Sequence, residues 1–510
     1  MQDSISEILT PKPAVKLEGT RLSSIGKTIL GTEERRPLSR APFPPTICVA
    51  IIPSSTAGLE EFKDTVITLI QPSRHHARSY EIPADGQPLW QDEYGIVYGI
   101  TTVKGNNLED SKVEKDSNAS LGLRVHGMQD DREIERIIRV SKTLREAGIE
   151  TERIEAVIRP DELVWEGRKV SIDEFKKLLL ERAIAEKGVE KLSLVGSGEK
   201  VIRDGDIPTI KSWLDSTEFV FTLRDQQVSL RPRDFLEIHD ETAFTAAVTS
   251  IFSFINKREN IEASIQGREA RILDPNNPED IEYYFTDYLP KRLAINIAKL
   301  HNAGLTHGFL SGHNVSMTGS IYDLDSVYGQ ALGDDTKPNP AEDMELILGG
   351  LAQLFFRPRM MGSLPHYVQT IYGESFAPLF FREFIDTYLR HRNFTFDQDA
   401  AIDHTLLEFQ EDTKKMSPKT LAKELKKEEA EYGPYDLTLR KEAVHDLVTK
   451  FIELTFGDIE GAGSASVYSY DWAPIKRVID EVIKNFQDRQ VEAVPLTRFT
   501  EAVDRVRSGK

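Results

Sequence analysis

The sequence predicts an α+β chain with two unlike halves, and three observations predict it. Between residues 45 and 235, β-branched and aromatic runs alternate with glycines, polar turns and at least two amphipathic helical stretches. From about Glu241 onward apolar residues recur at helical spacing in segment after segment. With 510 residues, the chain exceeds what one hydrophobic core usually supports, so a strand-rich N-terminal lobe and a mostly helical C-terminal lobe are expected.

Taken in order, residues 1–44 are rich in Pro, Ser, Arg and Lys without apolar periodicity, and read as a mobile or draped tail. "TICVAIIP" (Thr46 to Pro53) fits a strand, whereas "EFKDTVITLIQP" fits helix or strand. In "WQDEYGIVYGITTVKGNN" the glycines Gly95, Gly99 and Gly105 interrupt β-formers, which predicts two strands joined by a glycine-containing turn. "LGLRVHG" reads as a short buried strand. Asp130 is placed to cap a helix whose stripe is Ile134, Ile137, Ile138, Val140 and Leu144, stopped by Gly148. "RIEAVIRPDELVWEG" is strand-like and "SIDEFKKLLLERAIAEKG" helical; "STEFVFTLRDQQVSLRPRDFLEI" reads as strand, polar turn and strand. The long helix "EDIEYYFTDYLPKRLAINIAKLHNAG" restarts near Pro290 and closes at Gly304. Helical periodicity returns in "AEDMELILGGLAQLFF", "APLFFREFIDTYLRHR", "AIDHTLLEFQEDTKKM", "PKTLAKELKKEEAEY", "RKEAVHDLVTKFIELTF" and "PIKRVIDEVIKNF". The expected division is a tail at 1–44, a strand-rich lobe at 45–235, a helical lobe at 236–412 and a helical extension at 413–510.

Composition narrows the function. Acidic residues number 83 against 64 basic, a net charge of -19, which argues against nonspecific binding to nucleic acid or an anionic membrane. One cysteine, Cys48, excludes a disulfide framework within the chain and a thiolate zinc cluster. The N-terminal residues lack a basic then apolar leader, and no apolar run reaches the ~18 residues of a membrane span. A cytoplasmic protein is expected.

The segment "LTHGFLSGHNVSMTGSIYDLDS", Leu305 to Ser326, concentrates the chemistry. Following a helix, it reads as loop, strand, a turn at Gly319, and strand, which brings Asn314 close to Asp323. An amide oxygen converging with a carboxylate makes a hard-oxygen site, suited to Mg²⁺ carrying phosphates rather than to zinc. Asp325 is a second candidate ligand or a cap. A zinc or iron site of His307, His313, Asp323 and Asp325 lacks a recurrent ligand spacing.

This segment resembles the catalytic loop and metal-binding hairpin of the protein-kinase-like fold, in which a loop ends in Asn and the hairpin after it ends in a metal-binding Asp. His307 and Gly308 match the "HG" of many such loops, Asn314 the loop Asn, and Asp323 or Asp325 the metal Asp. Phe309 stands where the catalytic Asp is usual. The same departure occurs in selenoprotein O type pseudokinases, whose loop is similar to "HGxLNTDNMSxxGLTIDYGP". "HGFLSGHNVSMTGSIYDLDS" aligns with it without a gap, with His313 replacing the Asp before the Asn. That branch transfers AMP from ATP to protein hydroxyls.

The resemblance implies a bilobal kinase-like fold, ATP and Mg²⁺ as cofactors, and a protein substrate or partner. Catalytic candidates are His307, His313 and Asn314, with His313 a candidate general base and His307 a candidate for holding the loop. "DEYGIVYGITTVKG" resembles a glycine loop through Gly95 and Gly99, though as Gly-x-x-x-Gly it is also an ordinary hairpin. Lys104 or Arg124 would hold phosphates, and Glu133 or Glu135 would pair with that cation. "FVFTLRDQQVSLRPRDFLEI" resembles the crossing between lobes whose backbone pairs with adenine, with Arg224, Arg231 and Arg233 capping or solvating it. Asp343 would support the loop backbone, or else complement its helix dipole. The resulting expectation is a transferase of AMP or phosphate that lacks the usual catalytic Asp; the alternative is a catalytically inactive scaffold.

Overall fold

A computed structural model of the chain describes residues 89–105, 127–165, 168–185, 206–356, 366–392 and 473–493. It also describes the short pieces 10–17, 19–21, 36–37, 48–51, 66–71, 79–81, 113–115, 123–125, 192–193, 199–200, 448–449 and 451–456, with residues 420 and 423. These residues form an α+β structure: one curled antiparallel sheet, several two- and three-stranded ribbons, and helices that dominate after Glu241.

In chain order the main sheet consists of β1 (Thr10–Leu17), β2 (Gly19–Arg21), β3 (Cys48–Ile51), β4 (Val66–Gln71), β5 (Ser79–Glu81), β6 (Ile100–Lys104), β7 (Gln129–Asp130), β8 (Arg153–Pro160) and β9 (Phe219–Gln226). Spatially they run β2-β8-β9-β6-β5-β4-β1-β3, with β7 also paired to β9. Because side chains alternate along a strand, the register fixes what each face carries. Tyr80, Val103, Phe219, Phe221 and Leu223 enter one core with Trp165, Phe175 and Trp213. On the other face Lys104 lies between Ser79 and Thr222, and Thr102 between Glu81 and Arg224. That polar face matters for function.

The helices are α1 (Asp131–Glu146), α2 (Ile172–Ala185), α3 (Asp206–Ser216), α4 (Glu241–Gln266), α5 (Leu289–Asn302), α6 (Pro340–Ala352), α7 (Tyr367–His391) and α8 (Ala473–Ala493). Asp130 caps α1 by accepting from Glu133 N at 2.9 Å, and Gly148 leaves the helix at φ 67°. The predicted restart at Pro290 takes a specific form: a short helix, Pro278–Tyr283, passes through a π turn, Tyr284–Tyr288, into α5. Proline donates no N–H and crowds the carbonyl one turn back, so the chain widens there. Leu293, Ala294, Ile297 and Leu300 of α5 and Phe380, Phe384 and Ile385 of α7 share the larger core, which α8 joins through Ile479, Val482 and Phe486. Among the described residues no helix is long and apolar enough to cross a membrane.

Three expectations change. Segments of the predicted tail are strands: β1 pairs with both β3 and β4, and β2 pairs with β8. Pro11 and Pro13 do not prevent the pairing. The second strand predicted in "FVFTLRDQQVSLRPRDFLEI" is instead a 3₁₀ helix, Pro232–Glu237, since Pro232 suits a first turn and the Asp234 carboxylate accepts from Arg231 N at 2.8 Å. The hairpin at 315–321 is a single bridge, Val315↔Ile321, without full strands. The ambiguous "EFKDTVITLIQP" contains a strand, β4. The helices predicted within 401–419 and 424–447 lie outside the described residues.

Candidate functional site

The loop after α5 is fastened from below. Asp343, fully buried on α6, accepts from His307 N at 2.6 Å and from Gly308 N at 2.9 Å. It also accepts from His301 Nε2 at 3.2 Å, and His301 Nδ1 in turn takes the Tyr388 hydroxyl at 2.6 Å. Burial holds the His301 imidazole below its ordinary range, opposed by the Asp343 hydrogen bond, so the neutral ring is the one that fits. His307 is buried too: Nε2 donates to Tyr322 O at 2.9 Å, while Nδ1 accepts from Phe309 N at 3.3 Å. Both of its nitrogens serve the chain. Gly312 lies backbone to backbone on α6, where a Cβ on Gly350 would stand 2.2 Å from Gly312 N.

The turn that follows is clamped from three sides. Ile321 N donates to Glu150 O at 2.9 Å, Asn296 Nδ2 of α5 donates to Gly319 O at 2.8 Å, and Met317 N donates to Leu230 O at 2.9 Å. Gly319 takes φ 95°, which its turn requires. Tyr322 N donates to Asn314 O at 2.8 Å, so the chain turns back on itself and sets Asp323 one residue past the partner of Asn314.

Asp323 is the only non-glycine residue with positive φ among the described residues, at φ 59° and ψ 65°. A left-handed aspartate costs about 1–2 kcal/mol and persists where its surroundings over-determine it. Here its carboxylate forms an ion pair with Lys104 of β6, joining the sheet to the turn. Asn314 Nδ2 donates to Phe309 O at 2.8 Å, which leaves its amide oxygen to offer to a cation. Lys104, Asn314 and Asp323 therefore form the candidate site.

The other predicted residues fall elsewhere or act differently. Arg124 lies on Leu123–Val125, paired with Val113–Lys115 apart from the main sheet; its side chain is outside what the structure describes. Lys104 is the candidate cation whose side chain the structure places, paired with Asp323. Glu135 is exposed on α1 and Glu133 is half-buried, its amide taken by Asp130. Gly95 makes a turn at φ 83° whose amide donates to Asp92 O at 3.1 Å. A Cβ on Gly99 would meet Phe254 at 2.6 Å and Gln227 O at 2.8 Å, so Gly99 serves close packing. Asp325 sits in the 3₁₀ turn Leu324–Ser326 with its carbonyl bonded by Arg136. His313 is half-buried, its carbonyl accepting from Arg231. Phe309 is 52% exposed.

Arg136 and Tyr322 are absent from the sequence reading, and the arginines of the crossing segment act differently from it. Arg136 of α1 donates to Asp325 O and Val327 O, gripping the turn beyond Asp323. Arg224 is no surface arginine: it is buried, with Nη1 2.5 Å from Glu152. Arg231 stacks over Tyr322 with its guanidinium carbon 5.5 Å from the ring centre, and Arg233 is buried beside Gln353. The Tyr322 hydroxyl accepts from Gln227 N at 3.2 Å and donates to Val228 O at 2.9 Å, occupying the crossing segment from beneath. Burial raises that hydroxyl to about 12 despite these bonds. An arginine three to five residues into a helix carries no signal of where its tip lands.

Among the described residues no three His, Cys, Asp or Glu side chains gather closely enough to hold a metal alone. Mg²⁺ is commonly held by one or two carboxylates together with substrate phosphates, and Asp323 and Asn314 are the oxygen donors this site would offer it. No protein-family model matches the sequence, and no curated protein matches it.

Proposed function

We propose that the chain has a protein-kinase-like bilobal fold and uses a magnesium nucleoside triphosphate, ATP by its resemblance, to transfer AMP or phosphate to a hydroxyl. The observation that carries this reading is the Lys104–Asp323 ion pair beside Asn314: a sheet lysine and a turn aspartate meet where phosphates and their metal would be shared. The order of elements supports it, with a sheet crossing into helices and α5 feeding the loop. Mg²⁺, when bound, would neutralise charge that builds on the phosphate oxygens. Lys104 then exchanges Asp323 for phosphate oxygens, and Asp343 with His307 keeps the loop rigid. An acceptor oxygen attacks the α-phosphorus and pyrophosphate leaves, or it attacks the γ-phosphorus and the nucleoside diphosphate leaves. Phe309 offers no base, so the acceptor proton passes to His313 or to water.

Incubation with α-labelled and with γ-labelled ATP, with protein as acceptor, separates the outcomes. Label from the α position marks AMP transfer; label from the γ position alone marks phosphate transfer. Either is abolished in Asp323→Asn. A second reading, an inactive scaffold, is favoured by Phe309 and by the Tyr322 hydroxyl occupying Gln227 N and Val228 O. It gains if neither label transfers from ATP, or from GTP labelled in the same way, with a folded chain.

A further inference from the structure

The polar sheet face extends beyond Lys104. Glu81 on β5 stands directly across from Thr102, two residues from Lys104 along β6, or about 6.7 Å along the strand. Its Oε2 accepts from Ser229 Oγ of the crossing segment at 2.9 Å. Oε1 has no hydrogen-bond partner, and no basic side chain pairs with the carboxylate, among the described residues. Burial pushes this carboxyl above its ordinary range, and the Ser229 bond only partly offsets that. Oε1 is not sealed from solvent, so the carboxylate can take a donor from a ligand.

Four backbone groups of the crossing segment are already engaged. Gln226 O takes Gly99 N at 2.9 Å, Leu230 O takes Met317 N at 2.9 Å, and Gln227 N and Val228 O are engaged by Tyr322. The geometry points to Glu81 as the base-reading residue of the cleft, selecting guanine over adenine in the nucleotide whose phosphates meet Lys104. Guanine presents two adjacent donors, N1–H and the 2-amino group, which match the two oxygens of a carboxylate. Adenine presents one donor beside the N1 lone pair, which a carboxylate repels. Ser229 uses one lone pair of Oε2 and leaves another.

This inference rests on the nucleotide-binding reading, and the test keeps the two apart. Binding of Mg·GTP, Mg·ATP and Mg·XTP to the full chain is measured by calorimetry, for the native protein, Glu81→Gln and Asp323→Asn, with melting curves confirming folding. The expected result is GTP tighter than ATP by about 100-fold, the scale of two bonds to a charged acceptor. Glu81→Gln loses that preference and gains XTP, because the new amide pairs an N–H with the xanthine C2 carbonyl and an oxygen with N1–H. Nucleotides that bind in an Asp323-dependent way without base preference, or with a preference that survives Glu81→Gln, overturn the inference and leave the parent reading standing. No binding of any nucleotide overturns both.

Discussion

At the scale of single residues, Asp343 carries more of the site than any residue that would touch a ligand. It is buried and accepts from two consecutive backbone amides and from His301. Asp343→Ala leaves those donors in the core without an acceptor, and we expect it to cost about 3–5 kcal/mol in urea unfolding. Asp323 behaves in the opposite way. Asparagine tolerates the left-handed conformation, so Asp323→Asn is expected to leave stability within about 1 kcal/mol while removing the charge that holds Lys104.

Elements explain what was legible in the sequence and what was not. Features encoded within a few residues were readable: the Asp130 cap, the break at Pro290, the turn at Gly319, and Asn314 returning to Asp323. For Asp343 the resemblance implied support of the loop backbone, with a helix-dipole role as the alternative, and the structure shows it accepting from the loop amides. The meeting of Lys104 with Asp323 was not readable, since it depends on which strands pair, and β6 joins β5 and β9 from distant parts of the chain. Neither were the strands of the expected tail, whose partners β4 and β8 lie far along the sequence. Arg136 belongs to this scale as well, because it couples α1 to the turn beyond Asp323. Arg136→Ala should cost about 1–2 kcal/mol, given its partial exposure. It should also raise hydrogen exchange at residues 324–327 relative to α5; unchanged exchange there would mean that α1 does not hold the turn.

For the whole molecule, buried titratable groups set the response to pH. His366, which caps α7, is held down at about 4, first by burial and then by His239, and His301 is likewise lowered. Both bind protons more readily in the unfolded chain, so stability is full above pH 6.5 and falls as pH drops toward 4; His366 alone amounts to roughly 3 kcal/mol. Burial would raise Glu150, but Arg292 and Arg258 outweigh it and hold the carboxyl at about 2. A second loss therefore follows between pH 4.5 and 2. Urea midpoints measured from pH 8 to 4 check the first window. The claim on which the functional account turns is that Lys104, Asn314 and Asp323 form one metal-dependent nucleotide site. Titrating a nucleoside triphosphate into the full chain with and without Mg²⁺ tests it most directly. The account predicts binding that requires Mg²⁺ and weakens at least tenfold in Asp323→Asn at an unchanged unfolding midpoint; binding indifferent to both Mg²⁺ and Asp323, or none at all, would contradict it.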